Sequence, residues 1–372
     1  MKLKNTAIAG ALSLITFGEA LIIRGTPIFM TTGLILIAPE KAKSETAEFY
    51  KNRGNKKYKE GDYEGAMSDY TKAIDVDPDY VAAYSNRGNI KGMLGNYSDA
   101  ITDINKALEI DSNFAHAYVN RGNVKTLLKD FTGANSDFIR AIKINPKFAE
   151  AYIGKGIIKK NLNDFHGAIK EYTKAININS DLTLAFVNRG TVKQLLGNHS
   201  EAINDFTKAI SINPNNADAF IGRGNSKGEL NDNPGAINDF TKAIDINPEY
   251  SEAFYNRAIS KGELGDYDGA IADCDKAIQI NGDFTKAFII RGISKGHLKN
   301  YSEAIVDFTT AIKINPQDSQ AYYNRAIAKY TLGNKKGACK DLKKGASLKD
   351  QYAISSFKEF CKWLSSLLSL SQ

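Results

Sequence analysis

The sequence predicts an all-α solenoid: nine helix–turn–helix units in series over residues 45–350, closed by a capping helix over 351–372. Three observations predict it. Arg53, Arg87, Arg121, Arg189, Arg223, Arg257, Arg291 and Arg325 fall on one 34-residue grid, and Lys155 takes the fourth place. Within each unit, apolar or small residues recur at three- and four-residue steps until a turn signal such as Gly95-Asn96 interrupts them. Pro78, Pro146, Pro214, Pro248 and Pro316 close five units where a second helix should stop. A unit this small cannot bury its apolar face alone, so neighbours must stack. Function is then a property of an extended surface rather than of one pocket.

Residues 1–44 stand outside the grid. Lys2 and Lys4 precede an apolar run from Thr6 to Ile23, broken by Glu19, and a second run extends from Pro27 to Ala38. This is the pattern of an export signal, with Gly18-Glu19-Ala20 and Ala42-Lys43-Ser44 as cleavage contexts. The first run is also long enough for a membrane anchor, with the lysines holding its start in the cytoplasm. Either reading puts the repeats on the non-cytoplasmic side. A helix packed on the first repeat of a cytoplasmic protein is the third reading.

The units run 47–80, 81–114, 115–148, 149–182, 183–216, 217–250, 251–284, 285–318 and 319–350. Places within a unit are numbered from 1 at Val81. Place 20 is alanine in every unit, from Ala66 to Ala338, and place 8 is glycine or alanine. Small residues on both helices let the backbones approach. Place 24 supplies bulk, as in Tyr70, Phe138 and Phe206, and place 30 is Val, Ile or Leu. The glycines are assigned to helix packing and turns. Beyond Gln351 the period ends, and Ala353 to Leu370 reads as a cap with Phe357, Phe360, Trp363 and Leu364 on its apolar side.

Place 7 is basic, place 11 is lysine and place 23 is acidic in all nine units. Places 7 and 11 share a helix face, so the matched carboxylates predict an internal charge ladder. A net charge of +7 with both signs interleaved gives no basic stripe, and nucleic acid is not an expected partner. Three cysteines are too few for a disulfide framework. Cys339 and Cys361 could still pin the cap if the repeats are exported. No nucleophile–base set, phosphate loop or zinc pattern is present in the sequence, so neither an enzyme nor a cofactor is expected.

The 34-residue period, the small residues at 8, 20 and 27 and the proline at 32 resemble the tetratricopeptide repeat (TPR) family over nine units, Ala47 to about Asp350. The Asn-Arg-Gly triplet is similar to a bacterial variant of that repeat. Arg at 7 and Lys at 11 depart from the family's frequent Leu and Tyr. The resemblance implies a right-handed superhelix, with helix A of each unit lining a concave groove that binds peptides or protein segments.

On that geometry, places 2, 5, 6, 9, 12 and 13 face the groove. Place 6 carries Asn52, Asn86, Asn120, Asn188, Asn256 and Asn324; place 9 carries Asn55, Asn89, Asn123 and Asn225. An asparagine amide matches the donor and acceptor of any peptide unit, whatever its side chain. The place-6 file resembles the asparagine ladder in the repeats of O-linked N-acetylglucosamine transferases, although no transferase domain follows here. Lys51, Asn55 and Asn86 also fit the carboxylate clamp of TPR co-chaperones, but His116 and Asn120 replace its last two cations. Later units place Tyr255, Ile259, Ile289, Ile293, Tyr323 and Ile327 at 5 and 9, predicting an exposed apolar stretch. The sequence thus predicts a peptide-binding adaptor. The alternative is a self-associating scaffold at a membrane, joined through units 7–9.

Overall fold

The computed structural model describes residues 46–361. The export or anchor segment, and the end of the cap with Trp363 and Leu364, lie outside the described residues. Nineteen helices and no strand occur among the described residues. The first helices of the nine units, the A helices, are α1 (Ala47–Glu60), α3 (Val81–Met93), α5 (Ala115–Leu127), α7 (Ala149–Asn161), α9 (Thr183–Leu195), α11 (Ala217–Glu229), α13 (Ser251–Glu263), α15 (Thr285–His297) and α17 (Ser319–Thr331). Their B partners are α2 (Tyr63–Val76), α4 (Tyr97–Ile110), α6 (Phe131–Ile144), α8 (Phe165–Ile178), α10 (His199–Ile212), α12 (Asn233–Ile246), α14 (Tyr267–Ile280), α16 (Tyr301–Ile314) and α18 (Lys335–Ser347). A final helix, α19 (Gln351–Phe360), packs on α18.

Two local devices set the hairpins, the first in every unit and the second in six of the nine. Place 15 is left-handed in every unit. Five of these residues are glycines, such as Gly61 at φ 82° and Gly95 at φ 84°, for which the conformation costs nothing. Lys129, Asn163, Asn231 and Lys299 adopt the same turn. In six units place 16 then caps helix B: Asp62, Asp130, Asp164, Asp232, Asp266 and Asn334 each accept a hydrogen bond from the glycine amide three residues on, whereas Asn96, Asn198 and Asn300 make no such cap.

All nine place-20 alanines are fully buried. They let helix A lie close against helix B, and the place-24 side chain fills the space beside them. Successive A helices touch one another, from α3 against α5 to α15 against α17, whereas successive B helices make no comparable contact. The A row is therefore the inner, concave layer and the B row the outer one. Among the described residues, no helix is long and apolar enough to cross a membrane.

At the closing end, Asp350 caps α19 and Ala353 is fully buried. A disulfide joins Cys339 on α18 to Cys361 at the end of α19. Tyr323 and Phe357 pack into the same cluster, so the last repeat interface is covered.

Candidate functional groove

The charge ladder lies inside the solenoid. In eight units the arginine at place 7 grips the place-23 aspartate through two hydrogen bonds. Arg223 Nε and Nη2 reach Asp239 at 2.9 and 2.7 Å, and Arg257 holds Asp273 at the same distances. The place-11 lysine adds a third contact, 2.8 Å from Lys227 to Asp239. Each of these arginines also lies over the ring three residues before it, 5.5 Å from Phe220 for Arg223. In units 2, 3 and 5–8 its remaining nitrogen reaches a Thr or Asn at place 25 or, for Arg291, Asp275, always in the preceding unit. Arg325 does the same with Thr309. The arginine is thus an inter-repeat rivet, which accounts for its presence where leucine is frequent.

These partners shift the carboxylates. Hydrogen bonding from Arg53 holds the Asp69 carboxyl below its ordinary value, against the opposing pull of burial. Burial pushes Asp103 up, but the hydrogen bonds from Arg87 and Lys91 outweigh it and the carboxyl also sits below its ordinary value. The ladder is not a basic strip open to an acidic ligand.

Unit 4 is the exception. Lys155 makes one 3.5 Å contact with Glu171, and Lys159 turns to Asp164 instead. Its place-24 phenol differs as well. In unit 1, Tyr70 donates to Asn55 at 2.7 Å, and burial raises its hydroxyl to about 12. Tyr172 is fully buried, place 9 of its unit is Ile157, and its hydroxyl has no partner among the described residues.

The asparagines divide into two groups. Asn86 donates to Asn55 at 3.1 Å, and Asn120 donates to the backbone and hydroxyl of Ser85 at 3.2 and 3.0 Å. Asn188 and Asn324 fold back onto the carbonyls of Leu184 and Gln320, one turn earlier in their own helices. These side chains tie A helices together or satisfy their own turn. Asn52, Asn123, Asn225 and Asn256 make no hydrogen bond among the described residues, and Asn89 has only a long contact to the Met93 sulfur. The groove therefore offers place 9 more than place 6. Two clefts, of about 400 and 370 Å³, share Tyr58, Asn89 and His116 and run along units 1–4.

The expected apolar stretch of units 7–9 is corrected. Ile289 is 2% exposed, because place 5 sits between adjacent A helices rather than on the groove floor. Val119, Ile153 and Ile221 are buried in the same way. Tyr255 is half-buried against Phe284, and Tyr323 is half-buried against Tyr352 of the cap. Ile259 and Ile293 are half-buried, and Ile327 alone of the six is exposed.

Comparison with known proteins agrees with this architecture. A TPR repeat profile matches residues 54–95 and 298–333, and tetratricopeptide repeat profiles match 81–114, 115–148, 149–182, 184–216 and 251–284. Together they cover more than half of the chain. No curated protein matches. The chain is similar to the structure of the APC/C hetero-tetramer Cut9-Hcn1, with 18% identity and a TM-score of 0.60 over 72% of this chain and 52% of that one. It thus spans about half the length of that chain, and the likeness is one of fold. It is also similar to a tetratricopeptide repeat protein from Parabacteroides merdae, with 20% identity and a TM-score of 0.47 over 67% of this chain and 98% of that one. YrrB, a TPR protein with an unusual peptide-binding site, matches at 27% identity and a TM-score of 0.37 over 50% of this chain and 95% of that one. The 34-residue grid, the paired helices and these profiles have one meaning: the chain belongs to the tetratricopeptide repeat family.

Proposed function

We propose that the protein is a non-enzymatic adaptor that holds an extended protein or peptide segment in the groove lined by its A helices. The observation that carries this is the set of place-9 amides, Asn89, Asn123 and Asn225, which line the inner clefts without an oxygen partner. Each can serve one peptide unit of a bound segment through its donor and its acceptor. The self-associating scaffold has less support, since Ile289 is buried between A helices and Tyr323 is half-buried against the cap.

The test is an affinity capture with the full chain, set against a bait carrying Asn89→Ala, Asn123→Ala and Asn225→Ala. Each lost hydrogen bond is worth about 0.5–1.5 kcal/mol, so a partner held through them should bind the altered bait at least about tenfold more weakly. Equal retention on both baits would count against the groove, and recovery of the chain alone would favour the scaffold.

We also propose that the repeats lie on the non-cytoplasmic side of a membrane. The Cys339–Cys361 disulfide supports that side, because such bonds persist in oxidising compartments. Native material denatured without reductant should then show one titratable thiol, Cys274, of the three cysteines. Three free thiols would remove this support.

A further inference from the structure

A glycine with helical backbone weakens its helix, so each one calls for a reason. Gly122, Gly154 and Gly222 have one, because an added methyl would run into the ring of Phe138 or Phe206. Gly228, Gly262 and Gly296 do not. They occupy place 12 of units 6, 7 and 8, and a methyl there would meet no atom within 4 Å. Helix termination does not require them, since the left-handed turn residue comes three places later.

Unit 5 shows what the space beside place 12 is shaped for. There the residue is Gln194, whose amide crosses to the next A helix and donates to the Gly222 carbonyl and the Ser226 hydroxyl, both at 2.8 Å. In unit 6 the residue is Gly228, and the matching hydroxyl, Ser260, is left with no hydrogen bond among the described residues although the residue is only 4% exposed. Ser260 lines an open cleft, so its hydroxyl is free to take a partner from a bound segment.

Gly228 and Ser260 lie in a cleft of about 620 Å³ across units 5–7, with Asn225, Asn256, Glu229 and Glu263 in its lining. Neither asparagine amide is engaged within the described residues. Both glutamates are exposed and form no ion pair among them. No lysine or arginine lines the cleft, and Lys227 and Lys261 beside it are held on Asp239 and Asp273.

We propose that this cleft seats an extended protein segment in which lysine or arginine alternates with small residues. The inference rests on the groove reading above and gives it a location and a ligand chemistry. The bare backbone at Gly228 lets the segment approach to van der Waals contact, and a polar group of the segment takes up Ser260, as Gln194 takes up Ser226. Asn225 and Asn256 hold its main chain. In an extended chain alternate side chains point to opposite faces, so small residues enter the notch while every second side chain carries its cation to Glu229 and Glu263.

The experiment is a selection of displayed random 12-residue peptides on the intact protein, followed by affinity measurements on two variants. Gly228→Gln with Gly262→Gln plugs the notch as unit 5 does, and its empty surroundings let it fold. Glu229→Gln with Glu263→Gln removes the charge. The expected result is enrichment of peptides rich in Lys or Arg, with affinity at least about tenfold weaker on either variant at an unchanged or higher melting temperature. Enriched peptides without excess basic residues, or peptides that bind the plugged variant equally well, overturn this inference and leave the groove reading standing. A selection that enriches nothing overturns both.

Discussion

Replacing Asp239 by alanine will destabilise unit 6 by about 3 kcal/mol. The carboxylate is 3% exposed and holds three charge-assisted contacts, two from Arg223 and one from Lys227. Its removal strands both cations between the helices. Breaking a buried pair costs roughly 3–5 kcal/mol. The lower end applies here, because the Arg223 and Lys227 side chains remain 18% and 22% exposed and water relieves part of the loss. The intact triad need not add much net stability, since desolvation offsets most of the attraction. Replacing all three residues together, as Arg223→Leu, Lys227→Met and Asp239→Leu, should therefore come within about 1–2 kcal/mol of wild type. Chemical denaturation and amide exchange in α11 and α12 would measure both. A single variant as stable as wild type, or a triple variant worse than the single one, would refute this account of the ladder.

The same residues show what a sequence can and cannot reveal about this fold. The period was legible because nine copies repeat each constraint: an alanine at place 20 once is noise, but nine in register is a packing requirement. The ladder was legible because a carboxylate accompanied the cations in every copy. Exposure was not legible. Places 5 and 9 both lie on the A-helix face expected to line the groove, yet Ile289 at place 5 is buried between adjacent helices and Ile327 at place 9 lies on the surface. That depends on the spacing of neighbouring units, which no single unit encodes. Which asparagines of the file are engaged within the fold was not legible for a related reason. Asn120 and Asn123 sit one turn apart, and only the position of Ser85 in the preceding unit decides that Asn120 is engaged and Asn123 is not. The glycines carried a signal that was read too generally. Gly222 and Gly228 look alike in the sequence, and only the atoms around them separate packing from open space.

Those two glycines, both on α11, should respond to alanine with opposite signs, and Phe206 is the reason. Its ring is 1% exposed and lies against Gly190 of its own unit and Gly222 of the next, where an added methyl would overlap the ring. Phe206→Ala empties this junction and should cost about 3–5 kcal/mol, lost burial and residual cavity combined. Gly222→Ala forces the ring to move, costing about 1–3 kcal/mol against a helix-propensity gain of up to about 1. Gly228→Ala meets nothing, so it should be neutral or stabilising by about 0.5 kcal/mol. In the double variant Phe206→Ala with Gly222→Ala, the new methyl occupies space that the ring has vacated. The two costs should therefore fall short of additive by about 1 kcal/mol or more, the coupling of residues in direct contact. Strict additivity would mean that the ring and the glycine do not share the junction. A gain from Gly222→Ala equal to that from Gly228→Ala would mean that the close approach of units 5 and 6 at this ring does not hold the solenoid together.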